Sequence, residues 1–193
     1  MIDRIKQAIR NPKRVIYRYR DKIIHRVNEE SLIDESIRYF PSNQTQRAIK
    51  IFFVSSKYDY GDKSRGLSFE ENNFLHSLIH IGYEVIAFDP LFIRKKYGKR
   101  LMNRILLESV YRWQPDIVFF VLHKDEIEFN TLLELKDRMG IKTLNWFCDD
   151  HWRFENFSKY YAPYFNYVVT TYRKAIERYK KLGCENVVLS QWA

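Results

Sequence analysis

The sequence predicts an α/β fold: a Rossmann-like, doubly wound parallel sheet of about six strands with an N-terminal helical extension. Three observations carry this expectation. Short apolar runs of strand length recur from residue 48 onward and alternate with segments of helical periodicity, the pattern of repeated βαβ units. One run, IVFFVL at 117–122, is apolar at every position, as parallel strands covered on both faces are. Another, Leu144–Phe147, leads into Asp149, Asp150 and His151. Open α/β sheets bind ligands beyond the carboxyl ends of their strands, and these ionisable groups fall there.

Residues 1–40 read as a helical leader. Ile2, Ile5 and Ile9 keep helical spacing, Asn11-Pro12 interrupts it, and Pro12 suits the first turn of a second helix. Ile16, Tyr19, Ile23 and Val27 then share one face, while Arg10, Arg14, Arg18, Lys22 and Arg26 recur every four residues as a basic stripe. Polar Pro41–Gln46 reads as a linker, so residues 1–47 precede a domain spanning 48–193. Ile49–Val54 is the first strand, bounded by Ser55-Ser56. Leu67–Ile81 has helical periodicity and stops at Gly82, a natural C-terminal cap. Tyr83–Phe88 is the second strand, Leu101–Tyr111 the second long helix, and Ile117–Leu122 the third strand. Asn130–Met139 is a helix closed by Gly140, and Ile141–Phe147 is the fourth strand. Trp152–Phe165 is partly helical; Tyr167–Thr171, Arg173–Leu182 and Asn186–Leu189 follow as strand, helix and strand. Right-handed crossovers place helices on both faces of such a sheet. With strand order 3-2-1-4-5-6, the first and fourth strands are neighbours, and their loops, Ser55–Gly66 and Cys148–Trp152, meet over one crevice.

The net charge of +9 is uneven: residues 1–27 hold nine Lys/Arg against Asp3 and Asp21, a local balance of +7. A local block fits a docking surface, such as an anionic membrane touched by residues 1–27, and a solvated helix packed on the domain fits it as well. Nucleic acid is not expected as a partner, because it would call for basic charge throughout the domain. Cys148 and Cys184 are the only cysteines and form no CxxC pair. That argues against a disulfide framework or structural zinc and for a reducing compartment. No apolar run reaches the roughly 18–20 residues of a membrane span, and no signal-peptide h-region opens the chain. The expected location is cytoplasmic, and peripheral at the inner face of the cell membrane if the leader docks there.

Tyr58, Asp59, Gly61, Arg65 and Gly66 lie on the loop after the first strand and are substrate-binding candidates. Strand-to-helix turns usually take about 2–6 residues, and longer loops at such positions often carry function; a plain surface loop is the alternative. Gly66, at the expected helix start, would let a ligand approach backbone N–H groups. Gly61 to Gly66 has Walker A spacing, but Leu67-Ser68 follows instead of Lys-Ser/Thr, so no nucleotide phosphate is expected there. Asp149 and Asp150 can accept hydrogen bonds from hydroxyls, and one with a raised pKa could act as general base. The alternative for Asp150 is a helix cap. One Asp pair with a single His leaves a metal-ligand set short. His123, after the third strand, is a third catalytic candidate because histidine side chains commonly exchange protons with hydroxyls, with a structural role as the alternative. His151 and Trp152 complete the second loop as binding candidates.

FFVSSKYDYGDKSRGLSFEENNFLHSLIHIGYEVIAFDP, PDIVFFVLH, IKTLNWFCDDHWRFENFSKYYAPYFNYVVTT and YKKLGCENVVLSQWA together resemble the N-terminal half of CgeB-like (spore-maturation type) glycosyltransferases of GT-B fold. The resemblance spans about residues 48–193, and W-F-x-D-D-x-W-x-F followed by V-V-T-T is its most specific part. It implies transfer of a sugar from a nucleotide-sugar donor to a hydroxyl acceptor, with no resident cofactor and no bound catalytic metal. It also implies that this half shapes the acceptor side, through Tyr58–Gly66, Cys148–Trp152 and, more loosely, His123. A donor-binding domain would follow Gln191-Trp192-Ala193, so weak or absent transfer is expected from this chain alone. A non-catalytic Rossmann-like scaffold docked through its basic leader is the alternative. A receiver-like domain would want acids where Ser55-Ser56 and His123 stand, and a cobalamin domain would want a DxHxxG that is missing.

Overall fold

The structure, a computed structural model, describes residues 29–44 and 47–190. The expected leader helices with their basic stripe, and the terminal Gln191-Trp192-Ala193, lie outside the described residues. Helix α1 (Glu29–Ser36) passes directly into strand β1 (Ile37–Phe40). The helical reading of the leader therefore ends at Ser36 and not at residue 40. Ile37, Tyr39 and Phe40 are β-formers, and Pro41 stops the run. Arg38 anchors it through a two-pronged ion pair with buried Glu71, one prong measuring 2.7 Å.

The six expected strands are present as β2 (Lys50–Val54), β3 (Glu84–Phe88), β4 (Ile117–Phe120), β5 (Lys142–Phe147), β6 (Tyr167–Thr170) and β7 (Asn186–Leu189). With β1 they form a seven-stranded sheet of order β1-β3-β2-β4-β5-β6-β7. β1 runs antiparallel to β3, and every other neighbouring pair is parallel. The expected adjacency of the first and fourth strands is thus corrected: β2 lies between β3 and β4. The reason is the connection after β3, which crosses back past β2 and lays β4 on its open side. The topological switch point lies between β2 and β4.

A π-turn at Glu71–Leu75 leads into α2 (His76–Ile81), which Gly82 closes in the left-handed conformation (φ 99°). An additional helix, α3 (Pro90–Tyr97), precedes α4 (Lys99–Trp113). Asp89 caps α3, its Oδ1 accepting from Phe92 N at 3.0 Å, and Pro90 opens its first turn. Then come α5 (Phe129–Leu133) with a π-turn at Glu134–Arg138, α6 (Asp150–Arg153), a π-turn at Phe154–Ser158, α7 (Lys159–Tyr161) and α8 (Ala175–Lys181).

The two sheet faces are covered unequally. Phe52, Val54, Phe120 and Phe147 pack beneath Ile93, Leu106, Leu132, Phe154 and Tyr179 of the later helices. On the opposite face Ile51, Phe53, Val85 and Trp146 meet the segment carrying Phe69, Phe74, Leu75 and Leu78. Phe52 and Phe53 are each almost fully buried, on opposite faces of one strand. Each such side chain contributes on the order of 1.5–3 kcal/mol of burial, which holds β2 in register and fixes where its loop departs. Among the described residues no helix is long and apolar enough to cross a membrane.

Candidate functional site

The switch point brings the loop after β2 against the loop after β4, with the loop after β5 next along the edge. Their meeting point is His123. Its ring lies 5.9 Å from that of Tyr60, on the first loop. Arg153 of α6 donates a short hydrogen bond from Nη2 to the His123 carbonyl. The expected crevice between neighbouring first and fourth strands is therefore corrected: the loop after the first strand and the helix after the fourth each reach His123, on the loop after the third strand that lies between them.

The loop around His123 is held from below by Glu126, a residue without solvent exposure. Its Oε1 accepts from His123 N and its Oε2 from Lys124 N, each at 2.7 Å. Asn103 of α4 clamps the same loop, donating to the Glu126 carbonyl at 3.0 Å and accepting from Glu128 N at 2.9 Å. His123 Nε2 is buried and has no hydrogen-bond partner among the described residues. The backbone of His123 is thus fixed, its Nε2 is enclosed by surrounding atoms, and the imidazole as a whole is half-buried.

The first loop is a closed ear. Asp59 N donates to Gly66 O (3.1 Å), and Ser68 N donates to Lys57 O (2.9 Å). The Asp59 carboxylate pairs with Arg65 at 2.6 Å, and the Lys57 ammonium sits 5.4 Å over the Tyr58 ring. Gly61, at φ 74°, is pressed against Leu91: a Cβ there would lie 3.2 Å from Leu91 Cβ. Asp59, Arg65, Tyr58 and Gly61 therefore build the loop itself. Gly66 is exposed and does not open the helix, which is a correction to the expectation above. Ser68 does so instead, its hydroxyl accepting from Glu71 N at 3.0 Å and donating to the Ser56 carbonyl at 2.6 Å. The S-x-x-E spacing of Ser68 and Glu71 signals this in the sequence.

The twin aspartates separate. Asp149 stands half-buried at the start of α6, where its carbonyl accepts from Trp152 N and Arg153 N. Asp150 is 1 % exposed, and its Oδ2 receives the Thr170 hydroxyl at 2.5 Å and the Tyr179 hydroxyl at 2.7 Å. Burial pushes its carboxyl above the ordinary carboxylate range, against the hydroxyls of Ser158, Thr170 and Tyr179 and the charge of Arg153. Asp150 thus faces the core, away from the rim, and ties α6 to β6 and α8. Neither aspartate caps α6 through its side chain. His151 and Trp152 are exposed on the outer surface, with the His151 ring 6.3 Å from that of Tyr172.

Arg153 and Glu126 are the residues that sequence reasoning does not pick out. Arg153 follows the aromatic D-D-H-W run as an ordinary surface cation would. Its guanidinium stacks 4.3 Å over Phe157 on the way to His123. Glu126, three positions after His123, is the spacing of a carboxylate that folds back onto backbone N–H groups.

Burial, and next the Asp149 carboxylate beside it, push the Cys148 thiol up to about 12. Cys184 is raised by burial as well. Iodoacetamide at pH 8 is therefore expected to label Cys148 about tenfold or more slowly in the native protein than in urea, because the thiolate is the nucleophile. Equal rates, read by peptide mass spectrometry, would count against this environment.

Comparison with known proteins adds no family: no protein-family model matches the chain, and no curated protein matches it.

Proposed function

We propose that this chain is the acceptor-side domain of a GT-B type glycosyltransferase, which moves a sugar from a nucleotide-sugar to a hydroxyl acceptor. The observation that carries the reading is the meeting of the strand-end loops at half-buried His123, reached by Tyr60 from one side and Arg153 from the other. An imidazole so placed can take the proton of an acceptor hydroxyl as its oxygen bonds to the anomeric carbon of the donor sugar, while the bond from that carbon to the phosphate oxygen breaks and the nucleotide leaves with its electron pair. Glu126 and Arg153, which bind the backbone of His123, are positioning residues in this scheme. Asp149, half-buried at the same edge, accepts hydrogen bonds from other hydroxyls of the sugar. Asp150 supports the site from inside.

The test is an amide NMR titration of the protein with methyl hexopyranosides and with nucleotide-sugars. Shifts centred on Tyr60, His123, Lys124 and Asp149 are expected, and His123→Ala should weaken the best sugar by about tenfold, the worth of one good polar contact. Absence of edge-centred shifts with every sugar refutes the reading.

A further inference from the structure

Tyr60 is held in an unusual state. Its backbone stands at φ 49°, ψ 24°, the left-handed region that bulky residues rarely occupy. Such strain persists only where the surroundings over-determine it, and it collects at ligand sites. Here the constraints are explicit. The loop is closed on both sides of Tyr60 by the Asp59–Gly66 and Lys57–Ser68 backbone bonds. The Arg65 guanidinium, gripped by Asp59, lies 4.8 Å over the Tyr60 ring and fixes it in place. Yet the side chain gains little burial, because Tyr60 remains 66 % exposed. A strained, rigid aromatic left in water does little for the fold.

Its position gives it another role. The ring stands 5.9 Å from that of half-buried His123, so a ligand lying on Tyr60 would bring its edge beside the imidazole. Arg65 occupies one side of the ring, and the exposure leaves surface for a second occupant. We propose that Tyr60 is the stacking platform for the apolar face of a pyranose ring, one of whose hydroxyls is presented to His123; this rests on the acceptor reading above. Aromatic rings suit this task because they cover an apolar ring face and leave its hydroxyls to polar neighbours. Tyr60 then selects sugars by which face is free of axial hydroxyls, and Arg65 and Asp59 act as positioning residues.

Two substitutions separate the ring from the backbone. Asparagine tolerates the left-handed region, so Tyr60→Asn keeps the loop conformation and removes the ring. Tyr60→Phe keeps the ring and removes the hydroxyl. Both are compared with the wild type in urea unfolding and in NMR titrations with methyl glucoside, methyl galactoside, methyl mannoside and N-acetylglucosamine. The expected result is a urea midpoint in Tyr60→Asn at or above the wild-type value, with affinity for the best sugar about tenfold lower. Tyr60→Phe should bind within about twofold of wild type. Wild-type affinity in Tyr60→Asn, equal losses in both variants, or a lowered urea midpoint in Tyr60→Asn would each overturn the platform while leaving the sugar reading intact. If the wild type binds none of the four sugars, the acceptor reading and the platform fall together.

Discussion

Asp150→Ala is expected to lower stability by about 3 kcal/mol in urea unfolding at pH 7, whereas Asp150→Asn should be neutral or stabilising. The carboxylate is buried and receives hydroxyls from β6 and α8. Alanine would leave the Thr170 and Tyr179 hydroxyls without their acceptor, and each unsatisfied buried group costs about 1–3 kcal/mol. A small cavity adds to that. Asparagine supplies the same acceptor, and Ser158 beside it can receive the new amide. The pH dependence separates charge from hydrogen bonding. Burial raises the folded pKa of Asp150 above its unfolded value of about 3.9. Stability from such a group is full below the unfolded pKa and is lost as pH rises through the folded one. The wild type should therefore lose ground to Asp150→Asn as pH is raised from about 4, with the gap levelling off above the folded pKa. A difference that stays flat from pH 4 to 8 would mean that the carboxylate carries no burial penalty.

Glu126→Ala is expected to be about as damaging, near 3–4 kcal/mol, and to reach the site directly. Hydrogen bonds to charged groups contribute about 1.5–3 kcal/mol each, and Glu126 accepts two of them from consecutive backbone N–H groups. Without it the amides of His123 and Lys124 lose their partners, and the imidazole loses the support that places it. Amide exchange at His123 and Lys124 should accelerate far more than exchange in β6 or β7, and sugar binding at the edge should fall with it. Glu126→Gln keeps one acceptor oxygen and should show a smaller effect of the same kind. Unchanged protection of both amides in the alanine variant would remove Glu126 from the positioning role.

Much of the fold is legible in local pattern. The apolar runs that became β2, β4 and β5 are too short for helices and too apolar for loops, and burial on both faces leaves them one solution. Gly82 marks the end of α2 because only a residue free of Cβ strain adopts that turn readily. The missed elements fail for identifiable reasons. β1 pairs with a strand far along the chain, Ile37 with Phe88, and its four residues also fit the end of a helical leader. α3 follows β3 without a loop, so its start is marked only by the Asp89 cap and Pro90 in the first turn, and its eight residues carry a weak apolar period.

The site is legible as a zone more than as a set of residues. Asp149, Asp150 and His123 each follow the end of an apolar run, which puts them at the carboxyl edge. What each does there depends on direction. Asp149 precedes α6 in a non-helical conformation (φ −109°, ψ 36°) and stays near the rim, while Asp150, the first helical residue, turns to Thr170 and Tyr179. Arg153, one turn further on, comes round to the His123 carbonyl.

Residue pattern alone settles the α/β class, the positions of six strands and the edge at which polar loops gather, because burial and backbone geometry act within a few residues. Which strand lies beside which, whether an acid meets solvent or core, and how Tyr60 comes to stand over His123 are settled only by packing. These depend on contacts between segments tens of residues apart, and local sequence carries no record of its distant neighbours.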